Sequence, residues 1–193
     1  MIFQDSKIAH KYLDGLKGIE LGPSKHNPFN IKDCIFVDQY QPQSTHAYGL
    51  EQLRLCNDIQ KIDIIADASC LPFEDNSLDY VLSSHLLEHI WDPIFCIKEW
   101  LRVLKQEGFI YCIVPHKERG LESDKSRPIT RLEEWIDRNK HPELNPKRDD
   151  HHSVFLPENL KELFEYCNTE VIELLPIDDK VFNGICIIVR KND

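Results

Sequence analysis

Three acids in this sequence each follow or close a short apolar run. They are Glu20 in Gly18-Ile19-Glu20-Leu21-Gly22, Asp38 after Cys34-Ile35-Phe36-Val37, and Asp67 after Ile62-Asp63-Ile64-Ile65-Ala66. If those runs are parallel strands, the acids stand at three successive strand ends, along the edge where open α/β sheets bind ligands. Carboxylates gathered there repel one another unless donors or a cation neutralise them. A ligand with ribose hydroxyls, an adenine amino group and a sulfonium charge supplies both. An acid in the place of Asp38 accepts from ribose hydroxyls in dinucleotide- and nucleoside-binding folds. Gly22 lets backbone approach such a ligand closely, although alone it fits a plain turn equally well.

Histidines form the second chemical set. An imidazole titrates near neutral pH and can take the proton of a hydroxyl as that oxygen forms a new bond. His85 follows the fourth apolar run, His116 follows Val114-Pro115, and His151 lies in Asp149-Asp150-His151-His152. These three are the candidate bases. His85 equally reads as a residue that hydrogen-bonds the cofactor or the backbone. His89, four residues on, is expected to share a helical face with His85 and to brace a strand–helix junction. Asp and His together also raise a metal reading. Neighbouring histidines on an extended segment point to opposite sides and no distant partner is evident, so no metal is expected.

These residues need a scaffold, and the chain alternates β-like runs with helical patterns, as a sheet covered by helices does. The expected strands are 18–21, 34–37, 62–65, 78–82, 109–114, 171–175 and 184–189. The last two have no helix between them and are expected to pair as an antiparallel hairpin. Asp92-Pro93 opens a helix whose Ile94, Ile97, Leu101 and Leu104 fall at helical spacing, with Gly108 as its stop. Thr130 with Glu133 has the spacing of a capping box. A third helix starts near Pro157 and carries Leu160, Leu163 and Phe164 on one face. The stretches 116–127 and 141–153 read as loops, long enough to suggest function.

The 193 residues fit one α/β domain over 1–193, and 41% hydrophobic with 29% charged residues is a globular balance. Its expected halves are a cofactor-binding part, 17–116, and an acceptor-side part, 117–193. A net charge of −10 disfavours a nucleic-acid substrate. Lys147-Arg148, followed at once by Asp149-Asp150, reads as a solvated loop. No apolar run reaches the roughly 18–20 residues of a membrane span. Residues 1–7 lack the pattern of a signal peptide, so a cytoplasmic placement is expected. The seven cysteines are scattered without a Cys-x-x-Cys pair. Cys34, Cys112 and Cys186 lie in apolar runs and are expected to be buried thiols, not disulfides or zinc ligands.

Three spans carry a family resemblance: Ile65-Ala66-Asp67-Ala68-Ser69-Cys70-Leu71-Pro72-Phe73, Asn76-Ser77-Leu78-Asp79-Tyr80-Val81, and Ser83-Ser84-His85-Leu86-Leu87-Glu88-His89-Ile90. Leu101-Arg102-Val103-Leu104, Gly108 and Val114-Pro115 continue it. Together they resemble the type 11 group of class I methyltransferases, over roughly residues 17–116. The resemblance implies a Rossmann-like seven-stranded sheet, mostly parallel, with helices on both faces and S-adenosylmethionine as methyl donor. It would place Glu20 and Gly22 at the methionyl part, Asp38 at the ribose and Asp67 at the adenine amino group. Ala68 would lend a backbone N–H to the ring, while Ser84 and His85 would face the methyl end. The family's loop after the first glycine usually holds further glycines, whereas this chain has Pro23-Ser24-Lys25-His26-Asn27-Pro28-Phe29. The run Leu21-Gly22-Pro23-Ser24-Lys25-His26-Asn27-Pro28 resembles a subgroup often found near glycan-assembly enzymes, which suggests a sugar or other small-molecule hydroxyl as acceptor. Two other readings compete. A nicotinamide-dependent dehydrogenase needs a full Gly-x-Gly-x-x-Gly turn, which is absent. A non-catalytic methyltransferase-like binding subunit would tolerate the missing glycines. The oligomeric state is left open.

Overall fold

The computed structural model describes residues 2–43, 45, 47–146 and 150–192. Seven strands, β1 (Gly18–Leu21), β2 (Ile35–Asp38), β3 (Ile64–Ile65), β4 (Leu78–Ser84), β5 (Leu104–Pro115), β6 (Thr169–Leu175) and β7 (Gly184–Lys191), form one sheet in the order β3-β2-β1-β4-β5-β7-β6. Strands β1 to β5 run parallel. Strand β7 lies antiparallel between β5 and β6, so the expected terminal hairpin is present. Six helices accompany the sheet: α1 (Lys7–Leu13), α2 (Ala47–Cys56), α3 (Pro93–Val103), α4 (Glu122–Lys125), α5 (Leu132–Lys140) and α6 (Pro157–Tyr166). Among the described residues no helix is long and apolar enough to cross a membrane.

Period-two alternation sends the central strands into two cores. Ile110, Cys112 and Val114 of β5, with Ile185, Ile187 and Val189 of β7, pack with Ile94, Ile97 and Trp100 of α3 and Leu160, Leu163 and Phe164 of α6. The intervening Tyr111, Ile113, Cys186 and Ile188 pack on the other face with Ala9 and Leu13 of α1 and with Phe29 and Ile31. Helix α3 starts as its sequence predicts: Asp92 caps it by accepting from Phe95 N–H at 3.0 Å, and Pro93 occupies the first turn.

Several local expectations are corrected. Helix α3 ends at Val103, and Leu104 already begins β5, which runs through Gly108 instead of stopping there. The helix expected from Thr130 starts at Leu132; Glu134, not Glu133, closes the box by accepting from Arg131 N–H at 3.0 Å. Thr130 instead accepts from Val154 N–H, which ties the chain before α5 to the segment after it. The 116–127 loop contains α4, and the 141–153 loop contains a short 3-10 turn, Pro142–Leu144. Cys112 and Cys186 are fully buried, but Cys34 is only half-buried, because it precedes β2 instead of lying within it.

Candidate functional site

Strand β1 lies between β2 and β4, so the strand order reverses there and a crevice opens beyond the carboxyl ends of these strands. The ends are held level by backbone hydrogen bonds: Gly22 N–H to Val37 C=O, Ala66 N–H to Asp38 C=O, and His85 N–H to Ile113 C=O, each at 2.9 Å. Beyond them lies a cleft of about 1290 Å³. Ordinary small-molecule pockets run to about 1,000 Å³, so the space admits more than one ligand. Glu20, Gly22, Asp38, Asp67, Ala68, Ser84 and His85 all line it. The geometry therefore brings every sequence-predicted cofactor residue to one place.

The acids differ in their surroundings. Glu20 is buried and accepts no hydrogen bond from the described residues; burial pushes its carboxyl up to about 8, against the pull of buried Lys180. Asp38 is half-buried, and burial raises its carboxyl too, although Tyr40 N–H donates to it at 3.4 Å. Asp67 is exposed and accepts from Ser69 N–H at 2.7 Å. Glu20 thus lines the cleft without a donor among the described residues, and Asp38 has backbone donors only from the turn that follows it, which fits a ligand that brings hydroxyl and ammonium groups.

The loop that lacks glycines is braced from outside. Gly22 has φ +64°, the left-handed region that glycine adopts without penalty. Tyr48 of α2 donates to Pro23 C=O at 3.1 Å, and Gln52 accepts from Lys25 N–H at 2.9 Å. Fully buried Lys180 donates to Pro28 C=O and stands over the Phe29 ring at 4.4 Å. Sequence reading missed Tyr48, Gln52 and Lys180. Helix α2 shows no apolar stripe, since its buried residues are Gly49 and Gln52. A side chain on Gly49 would meet Gln43 C=O at 2.0 Å, so only glycine permits that packing.

The histidines do not form one group. His85 has φ +54° and precedes a 3-10 turn, Leu87–His89, so it shares no helical face with His89, contrary to the spacing argument. Both rings instead approach Glu88, whose Oε1 lies 3.7 Å from His85 Nδ1 and 3.9 Å from His89 Nε2. Burial opposes a charge on His85, but Glu88 and Asp178 outweigh it and hold the imidazole above its ordinary 6.5. His116 does not line the cleft: its Nδ1 accepts from Glu118 N–H at 3.1 Å. His151 lines a second, smaller cavity of about 600 Å³ beside the first, shared with His89, Trp91, Asp124, Arg127, Arg138 and His152. His151 and His152 reach different partners, Asp124 at 2.6 Å and the Trp91 ring at 5.4 Å between centroids, yet both border this cavity. Asp149 lies outside the described residues. Glu88, Asp124 and Trp91 carried no sequence signal that singled them out.

Residues 33–112 match the family model described as a methyltransferase domain. A demethylmenaquinone methyltransferase of Staphylococcus haemolyticus is 42% identical over 65 residues, 34% of this chain and 26% of that protein. The chain thus spans about a quarter of the length of the curated relatives it matches. Two solved structures share the whole fold. One, from Thermotoga maritima, is described as a SAM-dependent methyltransferase and possible histamine N-methyltransferase; its TM-score is 0.57 at 18% identity, covering 95% of this chain and 86% of that one. The other, a SAM-dependent methyltransferase of Methanosarcina mazei, has a TM-score of 0.57 at 18% identity, covering 96% and 97%. The expected class I methyltransferase architecture is therefore present in full, and residues 33–112 resemble the methyltransferase-domain family in sequence as well.

Proposed function

We propose that this chain, built on the class I methyltransferase fold, binds S-adenosylmethionine in the large cleft and transfers its methyl group to a hydroxyl of a small-molecule or sugar acceptor. One observation carries the reading: Glu20 and Asp38, whose carboxyls burial raises, line the same cleft at the switch point of the sheet. Glu20 would hold the ammonium end, with the Gly22 backbone beside it. Asp38 would accept from the ribose hydroxyls. At the cleft mouth Asp67 would accept from the adenine amino group, and Ala68 would meet the ring.

The bound sulfonium supplies an already activated methyl group. What remains for the protein is to align the acceptor oxygen, exclude water and remove a proton. His85 would take the proton; in support, it lines the cleft, its Nε2 has no hydrogen-bond partner among the described residues, and Glu88 Oε1 stands 3.7 Å from its Nδ1. The acceptor would enter from the 117–193 part of the chain, where Asn139, Asn145, His152 and Asn183 line the same cleft. The segment 21–28 supports a glycan-related acceptor by its resemblance alone.

The test has two steps. Titration calorimetry with the demethylated cofactor product should give a saturable heat for the unaltered chain. Labelled donor, offered with nucleotide sugars, glycan extracts and small phenolic or aliphatic alcohols, should then yield a labelled product. Heat without any labelled product would favour the non-catalytic binding subunit, and no heat at all would remove both readings.

A further inference from the structure

Glu88 is 1% exposed; its Oε2 is buried with no hydrogen-bond partner among the described residues, and its Oε1 stands 3.7 Å from His85 Nδ1 and 3.9 Å from His89 Nε2. A desolvated carboxylate oxygen is unfavourable unless a donor or a cation compensates it. The surroundings are those of a metal site. Glu88, His89 and His151 each offer one ligand atom, and the three atoms lie within 4.8 Å of one another. We propose that Glu88, His89 and His151 bind a divalent transition metal of the zinc class, with Asp124 as the residue that orients His151.

The framework is already set. Glu88 and His89 lie on the 3-10 turn after β4, and His151 lies on the segment leading to Phe155. Backbone hydrogen bonds from His152 N–H and Ser153 N–H to Glu88 C=O, at 2.7 and 3.2 Å, join the two segments. His151 Nδ1 meets Asp124 Oδ2 at 2.6 Å, which leaves Nε2 as the ligand atom, the arrangement by which a carboxylate fixes a metal-bound histidine. The His89 and His151 rings stand edge to face at 4.7 Å between centroids. Ligand lengths of about 2.0–2.2 Å call for ligand atoms some 3.4 Å apart, so the three would close by up to about 1.4 Å on binding. Charge also fits. Arg127 pairs with Asp124 at 3.2 Å and Arg138 stacks on Trp91 at 4.7 Å, so the imidazoles of His85 and His89, not these arginines, are the groups that approach Glu88. Two imidazoles and one carboxylate suit zinc or cobalt; magnesium and calcium prefer oxygen ligands throughout. His89 borders both cavities, so an ion held here stands at their junction.

The full chain should be titrated with Co²⁺, whose visible absorption reports a four-coordinate site, and then with Zn²⁺ in competition. The expected result is about one equivalent bound, with the cobalt band displaced by zinc. Asp124→Asn should weaken the metal by about 10–100-fold, the effect of losing an outer-shell partner. Glu88→Gln and His151→Ala should weaken it more. Circular dichroism and thermal melting should accompany each variant; if Glu88→Gln does not fold, His151→Ala on its half-buried segment carries the test. A folded unaltered chain with no stoichiometric cobalt band, or unaltered affinity in folded His151→Ala, overturns the site. The methyl donor enters neither readout, so this outcome is separable from the proposed activity.

Discussion

Along the carboxyl edge of the sheet, Glu20, Asp38 and Asp67 sit on or just past three neighbouring strands whose ladder dictates their spacing. The neighbouring cavity has no such ruler. Glu88, His89, Asp124, Arg138 and His151 come from a 3-10 turn, two helices and an extended segment, joined by backbone hydrogen bonds from 152–153 to residue 88 and by side-chain bonds of His151 to Asp124 and of Arg138 to Ser153. One side is a row set by local periodicity; the other is a junction set by long-range contacts. The two sides should therefore fail differently when single residues change, the row by losing ligand and the junction by losing chemistry.

The largest expected effect lies where the two sides meet. His85→Ala should lower single-turnover methyl transfer by about 10²–10⁴ while cofactor affinity changes little. Because Glu88 and Asp178 hold His85 above its ordinary value in the metal-free chain, that form should gain rate as pH rises through a point above 6.5, when the imidazole becomes neutral and can accept a proton. That limb should vanish in the variant. A variant that keeps both rate and limb removes His85 as base, and one that loses cofactor affinity instead makes it part of the donor pocket.

Next comes the row itself. Asp38→Ala should weaken the demethylated cofactor product by roughly 1.5–3 kcal/mol in calorimetry, the range for hydrogen bonds to a charged group. Asp124→Ala, in the neighbouring cavity, should leave that affinity unchanged. Equal losses in the two would erase the distinction between row and junction.

Glu20 offers a pH test of intermediate size. Its carboxyl stands at about 8 in the folded chain against an ordinary 4.5, so the folded state holds a proton that the unfolded state releases between those values. Stability of the ligand-free chain should then fall as pH rises across that window, the reverse of a salt-bridged carboxylate. A bound ammonium favours the ionised form, so binding should release a proton, and affinity should rise by up to about tenfold per pH unit below 8. Calorimetry at pH 7 in two buffers of different ionisation enthalpy measures that proton directly; identical heats would argue that Glu20 does not face the cation.

The smallest effect belongs to exposed Asp67. Asp67→Asn should keep the fold and narrow the preference for adenosyl over inosyl analogues by about 1 kcal/mol or less, since an acceptor is partly replaced by a donor. An unchanged preference would detach Asp67 from the base.

The same contrast explains what could be read in advance. All seven strands and three of the helices were legible, because alternating or periodic apolar residues mark them and Asp92-Pro93 marks a helix start. Acids at strand ends inherit that legibility. Helix α2 was not visible, since what it buries is Gly49 and Gln52, residues that break an apolar stripe. His85 and His89 misled through their spacing: four residues apart suggests one helical face, but the positive φ of His85 starts a 3-10 turn instead. Glu88 between them looked like any surface acid, and only the return of residues 152–153 buries it.

The braces on residues 22–29 have a thermodynamic consequence. With Tyr48, Gln52 and Lys180 already fastening the carbonyls and N–H groups of that segment, its ordering entropy is lost during folding and not at the encounter with ligand. Association should therefore show a heat-capacity change set by the apolar surface of the ligand and cleft alone, without the extra negative increment of a loop that folds upon binding.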